Sequence, residues 1–481
     1  MFAITYLKII SVLLSIVGAM MLMPLGLALA TGESAVISAF LIPMLASFLL
    51  VALVYIPFHK SSFKINNRQT YVIVAGCWIF MSLFGAIPLF ATGAYPTITD
   101  AVFESVSGFT TTGSTVCGHL EELPRSVNLW RCITHWIGGM GIVTLTVALL
   151  PLLGVGGFQL IKAETTGPEK GKITARITTT AKYLWIIYAA LTLIEAILLK
   201  IAGMDWIDAF SHAFSTLGTG GFSTRDSSIG WYNNAAIDVI ITVFMFFAGI
   251  NFSLFYYIVI RKFEDIRDNS EFKVYIAIAI FSVIAVTISI ASVYHDFPRQ
   301  LRYAAFQSMS IISTTGFSTT DFLLWPSTAQ FWLFLLFFVG GCSGSTSGGV
   351  KVIRWTVLFK QIGNETKRML HPHGVFSIRL NNRVGRKDVI FTVTAFMALY
   401  FFLVAITTLV GCAGNLDIFT AFTASLSMVG NVGPAGGILG PSGNFGCLPA
   451  FVKWWYCFAM LAGRLELYTM IMFFLPQYWQ R

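Results

Sequence analysis

Charged side chains are scarce in this sequence. Asp, Glu, Lys and Arg together make up 11% of its 481 residues, whereas soluble domains carry about 25%. A chain with so little charge cannot present a polar surface to water on every side, and 56% of its residues are hydrophobic. The composition, with a mean hydropathy of +0.76, therefore excludes a soluble multidomain protein and predicts an all-α polytopic membrane protein.

Motifs of catalysis and metal binding are absent as well. The seven Cys include no CxxC pair, the seven His form no HExxH motif, and no GxSxG nucleophile motif occurs. These absences argue against a structural zinc site and against one alternative function, a membrane-embedded enzyme that uses Ser and His. His135 and His212 are expected to be hydrogen-bonded packing residues. A disulfide between two Cys on the cation-poor side stays open.

The few charges that are present are unevenly distributed. Of the 31 Lys and Arg residues, 21 lie in four segments, 60–68, 162–182, 261–273 and 351–388, which alternate with cation-poor segments. This is the pattern of the positive-inside rule, so the net charge of +9 reflects membrane topology and not nucleic-acid binding. It predicts a bacterial inner-membrane protein with both termini in the cytoplasm.

Apolar runs of about 20 residues, the length that crosses a bilayer, predict ten spans. They cover residues 2–28, 35–57, 72–94, 128–153, 183–203, 235–260, 273–294, 328–358, 389–411 and 452–475. We interpret the first run as a retained helix and not a cleaved signal peptide, because a second apolar run follows at once. Ten crossings place all four basic segments on one side.

Four shorter apolar segments on the cation-poor side form an internal repeat. They cover residues 97–116, 205–224, 299–320 and 417–436. When they are aligned on Gly113, Gly221, Gly316 and Gly433, every copy has Ser six residues earlier and Ala twelve residues earlier. The alignment predicts four units of helix, pore loop and helix around a central pore. The predicted boundaries are 1–60 for two N-terminal helices and 61–170, 171–265, 266–380 and 381–481 for the repeats. All four begin on the same side, which argues against a carrier of inverted repeats.

The sequence around each anchoring Gly is rich in groups that can replace the hydration shell of a cation. Backbone carbonyls and Thr hydroxyls do this without a full negative charge, and Gly adopts the positive φ angles that aim several carbonyls at one axis. The predicted filter residues are Thr111, Thr112, Gly113, Thr219, Gly220, Gly221, Thr314, Thr315, Gly316, Asn431, Val432 and Gly433. Asp100, Asp208 and Asp417 are expected to cap the preceding helices. One such cluster would also fit a helix-packing motif, but four in register favour a ring.

The eighth span, 328–358, is interrupted by a stretch rich in Gly. The residues concerned are Gly340, Gly341, Gly344, Ser345, Thr346, Gly348 and Gly349, followed by Lys351. Each Gly costs a helix about 1 kcal/mol relative to Ala, and unwound backbone at membrane depth must be satisfied by protein or by water in a cavity. The stretch lacks the GK[ST] ending of a phosphate-binding loop. It is predicted to lie below the filter, and a flexible kink without a gating role remains the alternative.

Two charges interrupt the last span. Arg464 and Glu466 are two positions apart and therefore point to different sides of a helix, so each should have its own partner. Arg464 is predicted to add positive charge below the filter and to hold the Gly-rich stretch, the alternative being a structural hydrogen bond to carbonyls of a neighbouring helix. Asn251 is likewise expected to bond a neighbouring helix.

The repeat and three strings of residues resemble the Trk/Ktr/HKT potassium transporters, most closely the membrane subunits of bacterial Trk systems. The strings are SGFTTTGS (107–114), STLGTGGFST (215–224) and HWIGGMGI (135–142). The resemblance implies potassium in the filter, no organic cofactor, and a homodimer with one pore in each protomer. It also implies a cytosolic nucleotide-binding regulatory subunit of the TrkA type, a ring of RCK domains. It makes the Gly-rich stretch an intramembrane gate beside Arg464, and Gly113 favours potassium over sodium.

Overall fold

The computed structural model describes residues 2–58, 67–141, 177–381, 383–384, 387–472 and 476. These residues are helical apart from loops and one antiparallel ribbon, in which β1 (Arg379–Leu380) pairs with β2 (Arg383–Val384). The all-α class is thereby confirmed. The basic segments 60–68 and 162–182 lie largely outside the described residues.

Three helices precede the repeated part of the chain. They are α1 (Phe2–Met20), α2 (Leu22–Thr31) and α3 (Ser34–Phe58). The first two are separated by a single residue, Met21, and together they cover the first predicted span. Helix α1 packs against α3, and α2 packs against α3 and against the repeated part.

Four units of three helices follow, and each unit has a long helix, a short pore helix and a second helix. The first has α4 (Asn67–Ala91), α5 (Ile98–Phe109) and α6 (Arg125–Gly139); the second has α7 (Ile177–Ile201), α8 (Trp206–Gly218) and α9 (Ala235–Ala248), continued by α10 (Phe252–Val259) and α11 (Phe263–Arg267). The third has α12 (Ser270–Ser289), α13 (Phe297–Ile312) and α14 (Ser327–Leu336), continued by α15 (Val352–Leu370). The fourth has α16 (Lys387–Ala413), α17 (Ile418–Gly430) and α18 (Ala450–Arg464), continued by α19 (Tyr468–Ile471).

The part of the chain that the structure describes has fewer unbroken membrane-spanning helices than the ten spans that the sequence predicts. Among the described residues six are long and apolar enough to cross a membrane, or seven when α9 and α10 count as one span. The predicted span 128–153 runs beyond the described residues after position 141. Spans 328–358 and 452–475 are broken, and large side chains such as Ile288 (70% exposed) and Phe391 (75%) cover the outward faces of the long helices.

The second helix of units 2, 3 and 4 stops part-way, which corrects the prediction of continuous spans at 235–260 and 452–475. Helix α9 ends at Ala248, and α10 leaves it at 93°. Asn251 caps α10 by accepting the N–H of Ser253 at 2.8 Å, a role within its own helix that the sequence did not indicate. In the fourth unit Glu466 and Leu467 adopt positive φ angles of 60° and 56°.

Two of the three predicted helix caps are replaced by other residues in the structure. Asp417 caps α17 as expected, but Thr97 caps α5 and Asp205 caps α8. Asp100 and Asp208 lie instead in the first turns of those helices. An acid at either place stabilises the N-terminal end of the helix dipole.

Candidate functional site

A residue with left-handed backbone follows each pore helix, one or two positions after its last residue. These residues are Thr111 (φ 54°), Thr219 (54°), Thr314 (57°) and Asn431 (53°). The residue that follows each one donates its N–H to the carbonyl five positions earlier, that of Ser107, Ser215, Ser310 or Ser427, at 2.8 to 3.0 Å. This is the bonding of a Schellman motif, which terminates helices. The repeated Ser of the sequence therefore marks the last turn of each pore helix.

A closed cycle of close contacts joins the four loops. Gly113 abuts the carbonyl oxygen of Gly220, Gly221 abuts that of Thr315, Gly316 abuts that of Val432, and Gly433 abuts that of Thr112. A methyl group on any of these glycines would collide with that oxygen, and their φ angles of 80° to 106° disfavour a side chain in any case. The twelve predicted filter residues are thus brought together as one ring, in the order of the repeats.

The side chains of the loops are bonded differently in the four repeats. Thr112 shares a hydrogen bond with Thr110 at 2.8 Å, and Thr315 shares one with Ser313 at 2.7 Å. In the fourth repeat Val432 has no hydroxyl, and Asn431 Nδ2 donates across to Thr112 Oγ1 at 2.9 Å. Fourfold likeness is therefore a property of the backbone carbonyls, which are the groups that can coordinate a cation.

A buried ion pair supports the first and second loops from behind. Arg131 Nε donates to Glu104 Oε1 at 2.8 Å, and both side chains are fully buried. Glu104 accepts the Thr115 hydroxyl at 2.9 Å and the Val116 N–H at 3.0 Å, whereas Arg131 donates to the Ser223 carbonyl at 3.2 Å. The sequence analysis did not predict this pair. The signal that could have indicated it is that Glu104 and Arg131 are isolated charges within apolar segments.

Close backbone packing explains the glycines of the HWIGG string. Gly138 lies against the carbonyl of Phe109, and Gly139 lies against Gly218 at the end of α8. The ring of His135 stacks on Phe222, with 4.1 Å between centroids, and its Nδ1 is 3.2 Å from Ser215 Oγ. The pore helices α5 and α8 can therefore approach α6 closely.

The Gly-rich stretch forms a loop between α14 and α15 that spans residues 337–351, a wider break than the sequence indicated. Gly348 donates its N–H to Thr314 Oγ1 at 2.7 Å, which places the loop directly against the third segment of the ring. The loop also docks on the bend of the second unit, because Cys342 N–H donates to the Gly249 carbonyl at 2.8 Å and Phe252 N–H donates to the Gly344 carbonyl at 3.0 Å.

Bonds inside the loop close its base. Gly340 N–H donates to the Val350 carbonyl at 2.9 Å, Val352 N–H donates to the Gly341 carbonyl at 3.2 Å, and Ser345 Oγ donates to the Cys342 carbonyl at 2.6 Å. Positive φ angles of 75° and 66° occur at Gly344 and Gly349. The loop is therefore an ordered element with its own hydrogen bonds.

Arg464 links three repeats below the ring. Its Nη1 donates to the Thr346 carbonyl at 2.8 Å, and its Nη2 donates to the carbonyls of Gly138 at 2.7 Å and Gly139 at 3.1 Å. Glu466 turns away and pairs with Arg354. Lys351 donates to the Ser347 carbonyl within the loop.

Comparisons with known proteins agree with this architecture. Residues 36–481 match the family model described as "TrkH: Cation transport protein". The chain belongs to the TrkH family. It is 40% identical over 438 residues to the Trk system potassium uptake protein TrkH of Halomonas elongata, covering 89% of this chain and 90% of that protein. It is 38% identical over 429 residues to the TrkH protein of Escherichia coli K12, with 88% of each chain covered.

A solved structure has the same fold. The potassium transporter TrkH from Vibrio parahaemolyticus superposes with a TM-score of 0.88 at 33% identity, and the match covers 100% of both chains. The predicted polytopic membrane fold and the predicted relationship are therefore confirmed. Because the TrkH family is one of transporters, the chain is a transport protein and not an enzyme.

Proposed function

We propose that this chain is the potassium-translocating subunit of a bacterial Trk-type uptake system, and that the ring of loop carbonyls is its selectivity filter. The observation that carries the proposal is the closed cycle in which each anchoring Gly abuts a carbonyl of the next repeat. Such a ring replaces the hydration shell of a cation by carbonyl oxygens. The relatives named above are potassium uptake proteins, which supports potassium as the transported ion.

The pore helices contribute to the same field. Each ends at a filter segment, and the carbonyl end of a helix carries a partial negative charge of about half an elementary charge. Four such ends around one ring favour a cation over an anion. No organic cofactor is required, since the carbonyls and helix ends supply the whole recognition.

The loop 337–351 is the proposed gate, and Arg464 is one of its holding residues. The loop contacts the filter segment at Thr314, so an ion leaving the ring towards the cytoplasm meets this loop first. The Arg464 guanidinium adds a positive charge at that level and donates to the loop at Thr346. Displacing the loop and this charge would open the path.

The proposed assembly is a homodimer in the inner membrane, with both termini in the cytoplasm and a nucleotide-binding regulatory ring on the cytosolic side. Helix α15 supports a further protein contact, because it exposes Phe359 (65%), Ile362 (61%), Met369 (84%) and Leu370 (73%) beside charged residues. Apolar side chains exposed in this way mark an interaction surface.

Ion flux through reconstituted vesicles tests the proposal. Vesicles that contain the purified chain should take up potassium or rubidium and should discriminate strongly against sodium. Single-channel recording in a planar bilayer, with and without a potassium gradient, separates passive conduction from coupled transport. Equal fluxes of sodium and potassium would contradict the filter assignment, and the absence of any cation flux from dimeric protein would contradict the function.

A further inference from the structure

One buried carboxylate ties the middle of the loop 337–351 to the helix that follows it. Glu271, the second residue of α12, is 6% exposed, and its Oε1 accepts the N–H of Ser343 at 2.7 Å and that of Ile353 at 3.1 Å. These two donors lie ten positions apart, in the middle of the loop and just beyond its end, in the first turn of α15. Hydrogen bonds to a carboxylate are stronger than those to a neutral acceptor, so a single side chain fixes the second half of the loop against the start of α15.

The same face of α12 also holds the surface on which the loop rests. Tyr275, one turn after Glu271, donates to the Phe246 carbonyl at 3.2 Å, and its hydroxyl packs against Gly249 at the bend between α9 and α10. That bend supplies the Gly249 carbonyl and the Phe252 N–H to which the loop is bonded. Helix α12 therefore positions both the loop, through Glu271, and the bend on which the loop rests, through Tyr275.

The N-terminus of α12 is in turn bonded to the cytosolic ribbon of β1 and β2. Ser270 N–H donates to Asn381 Oδ1 at 2.8 Å, and Asn381 N–H donates back to Ser270 Oγ at 3.1 Å. The ribbon is also tied to α15 through Lys360 Nζ, which donates to the Arg379 carbonyl at 2.6 Å. Because Ser270 and Glu271 are adjacent, an unbroken path of hydrogen bonds and one peptide link joins the ribbon to the loop.

We propose that Glu271 is a positioning residue that latches the loop, and that the ribbon of β1 and β2 controls this latch from the cytosolic side. A partner that pulls the ribbon away from Ser270 shifts the first turn of α12, withdraws the carboxylate from the Ser343 and Ile353 amides, and releases the loop. This inference deepens the proposed function and rests on it, since it takes the loop to be the gate. It adds the residues through which a cytosolic signal reaches that gate.

The first test measures release of the loop independently of ion flux. Cys342 lies in the loop and is 1% exposed, so its alkylation by a small thiol reagent, followed on its own peptide by mass spectrometry, reports loop opening. Glu271→Ala removes both bonds and should raise the alkylation rate on the order of ten-fold. Glu271→Gln keeps an acceptor oxygen at the same reach and should stay near the parent. Glu264→Ala, at an exposed acid of α11, is the matched control and should have no effect.

The second test asks whether the ribbon acts through Glu271. Asn381→Ala should raise Cys342 alkylation in part, and combining it with Glu271→Ala should add little, because residues in one network are not additive. Fully additive effects, or no effect of Asn381→Ala, would overturn the role of the ribbon. If Glu271→Ala does not assemble, Glu271→Asp, whose carboxyl is one methylene shorter, takes its place.

Rubidium uptake by the same variants separates this inference from the proposed function. Faster alkylation together with faster uptake in Glu271→Ala supports both. Faster alkylation with parental uptake supports the latch and shows that the loop is not the gate. If Cys342 is alkylated no faster in Glu271→Ala than in the parent, the latch is overturned whatever the uptake. If Cys342 is alkylated as fast in Glu271→Gln as in Glu271→Ala, the hydrogen-bonding role of this side chain is overturned.

Discussion

Four residues that are not Gly hold left-handed backbone at the ends of the pore helices. A left-handed conformation costs an ordinary residue about 1–2 kcal/mol, and Asn431 tolerates it better than Thr111, Thr219 or Thr314. These residues are held by the Schellman bond that follows each of them and by burial of their side chains, which are no more than 1% exposed. The backbone strain of these four residues therefore lies at the segments whose carbonyls form the ring.

Gly113→Ser should weaken discrimination of potassium over sodium. The new Cβ would collide with the Gly220 carbonyl and displace one oxygen of the ring, so we expect the potassium-to-sodium flux ratio in vesicles to fall at least several-fold. Gly93→Ser is the matched control, because Gly93 has a similar φ of 72° but nothing within 4 Å of an added Cβ. An unchanged flux ratio in Gly113→Ser, with normal assembly, would count against the filter.

Replacing Arg131 should destabilise the protein far more than replacing Arg125 on the same helix. Arg131→Met leaves the buried Glu104 carboxylate without its ion-pair partner, a loss of about 3–5 kcal/mol. Arg125 pairs with Asp205 at the surface with 48% of its side chain exposed, and such pairs contribute about 0–1 kcal/mol. The half-life of folded protein in detergent at a fixed elevated temperature measures the difference, and similar half-lives for the two variants would refute it.

The sequence predicts which glycines meet in the ring but not the residues that support the ring. Fourfold repetition identified Gly113 and its equivalents because each copy needs the same backbone angle, and a requirement on the backbone leaves a visible residue type. The left-handed Thr residues leave no such mark, since Thr normally avoids that conformation. Glu104 with Arg131, and Glu271 with the loop, depend on contacts between distant segments that a single chain does not display.

At the scale of elements, three second helices stop where a continuous apolar run continues. Hydropathy predicts that a segment is buried in the membrane but does not detect a bend, so 235–260 was predicted as one helix although α9 and α10 meet at 93°. The local signal was Gly249 two positions before Asn251, a residue type that caps helices. The breaks are coupled, since the loop of the third unit bonds to the backbone freed by the bend of the second.

Arg464→Ala should increase cation uptake. The substitution removes three hydrogen bonds to the carbonyls of Thr346, Gly138 and Gly139, which loosens the loop. It also removes a positive charge beside the proposed conduction path, which lowers the electrostatic barrier to a cation. We expect uptake of rubidium by vesicles to rise several-fold, with Arg464→Lys intermediate because Lys keeps the charge but not the forked geometry. A variant that forms normal dimers and transports no faster than the parent would show that Arg464 is structural.

At the scale of the whole molecule, the repeats close a ring whose joints are not equivalent. At three of the four joints the second helix of one unit packs extensively against the pore helix of the next, with α6 on α8, α9 on α13 and α18 on α5. The joint between the fourth and first units differs in its backbone, because Gly433 has a φ of 106° where the other three anchors have 80° to 83°. Side chains hold this joint, including Ser114 Oγ, which donates to the Gly433 carbonyl at 2.8 Å.

The ion pair between Lys453 of α18 and Asp100 of α5 should be essential to that joint. The two groups are 2.7 Å apart with only 7% and 14% of their side chains exposed, so Lys453→Asp places two carboxylates together at a cost on the order of 3 kcal/mol. We expect a shorter half-life of the folded protein and a lower potassium-to-sodium flux ratio, because the Gly433–Thr112 contact lies in the same joint.

Exchanging the charges in the double variant Lys453→Asp with Asp100→Lys should recover at least half of both losses. The same exchange at the exposed pair of Glu365 and Arg368 within α15 should change neither. If the exchanged double variant is no better than Lys453→Asp alone, the joint is held by packing and not by this pair.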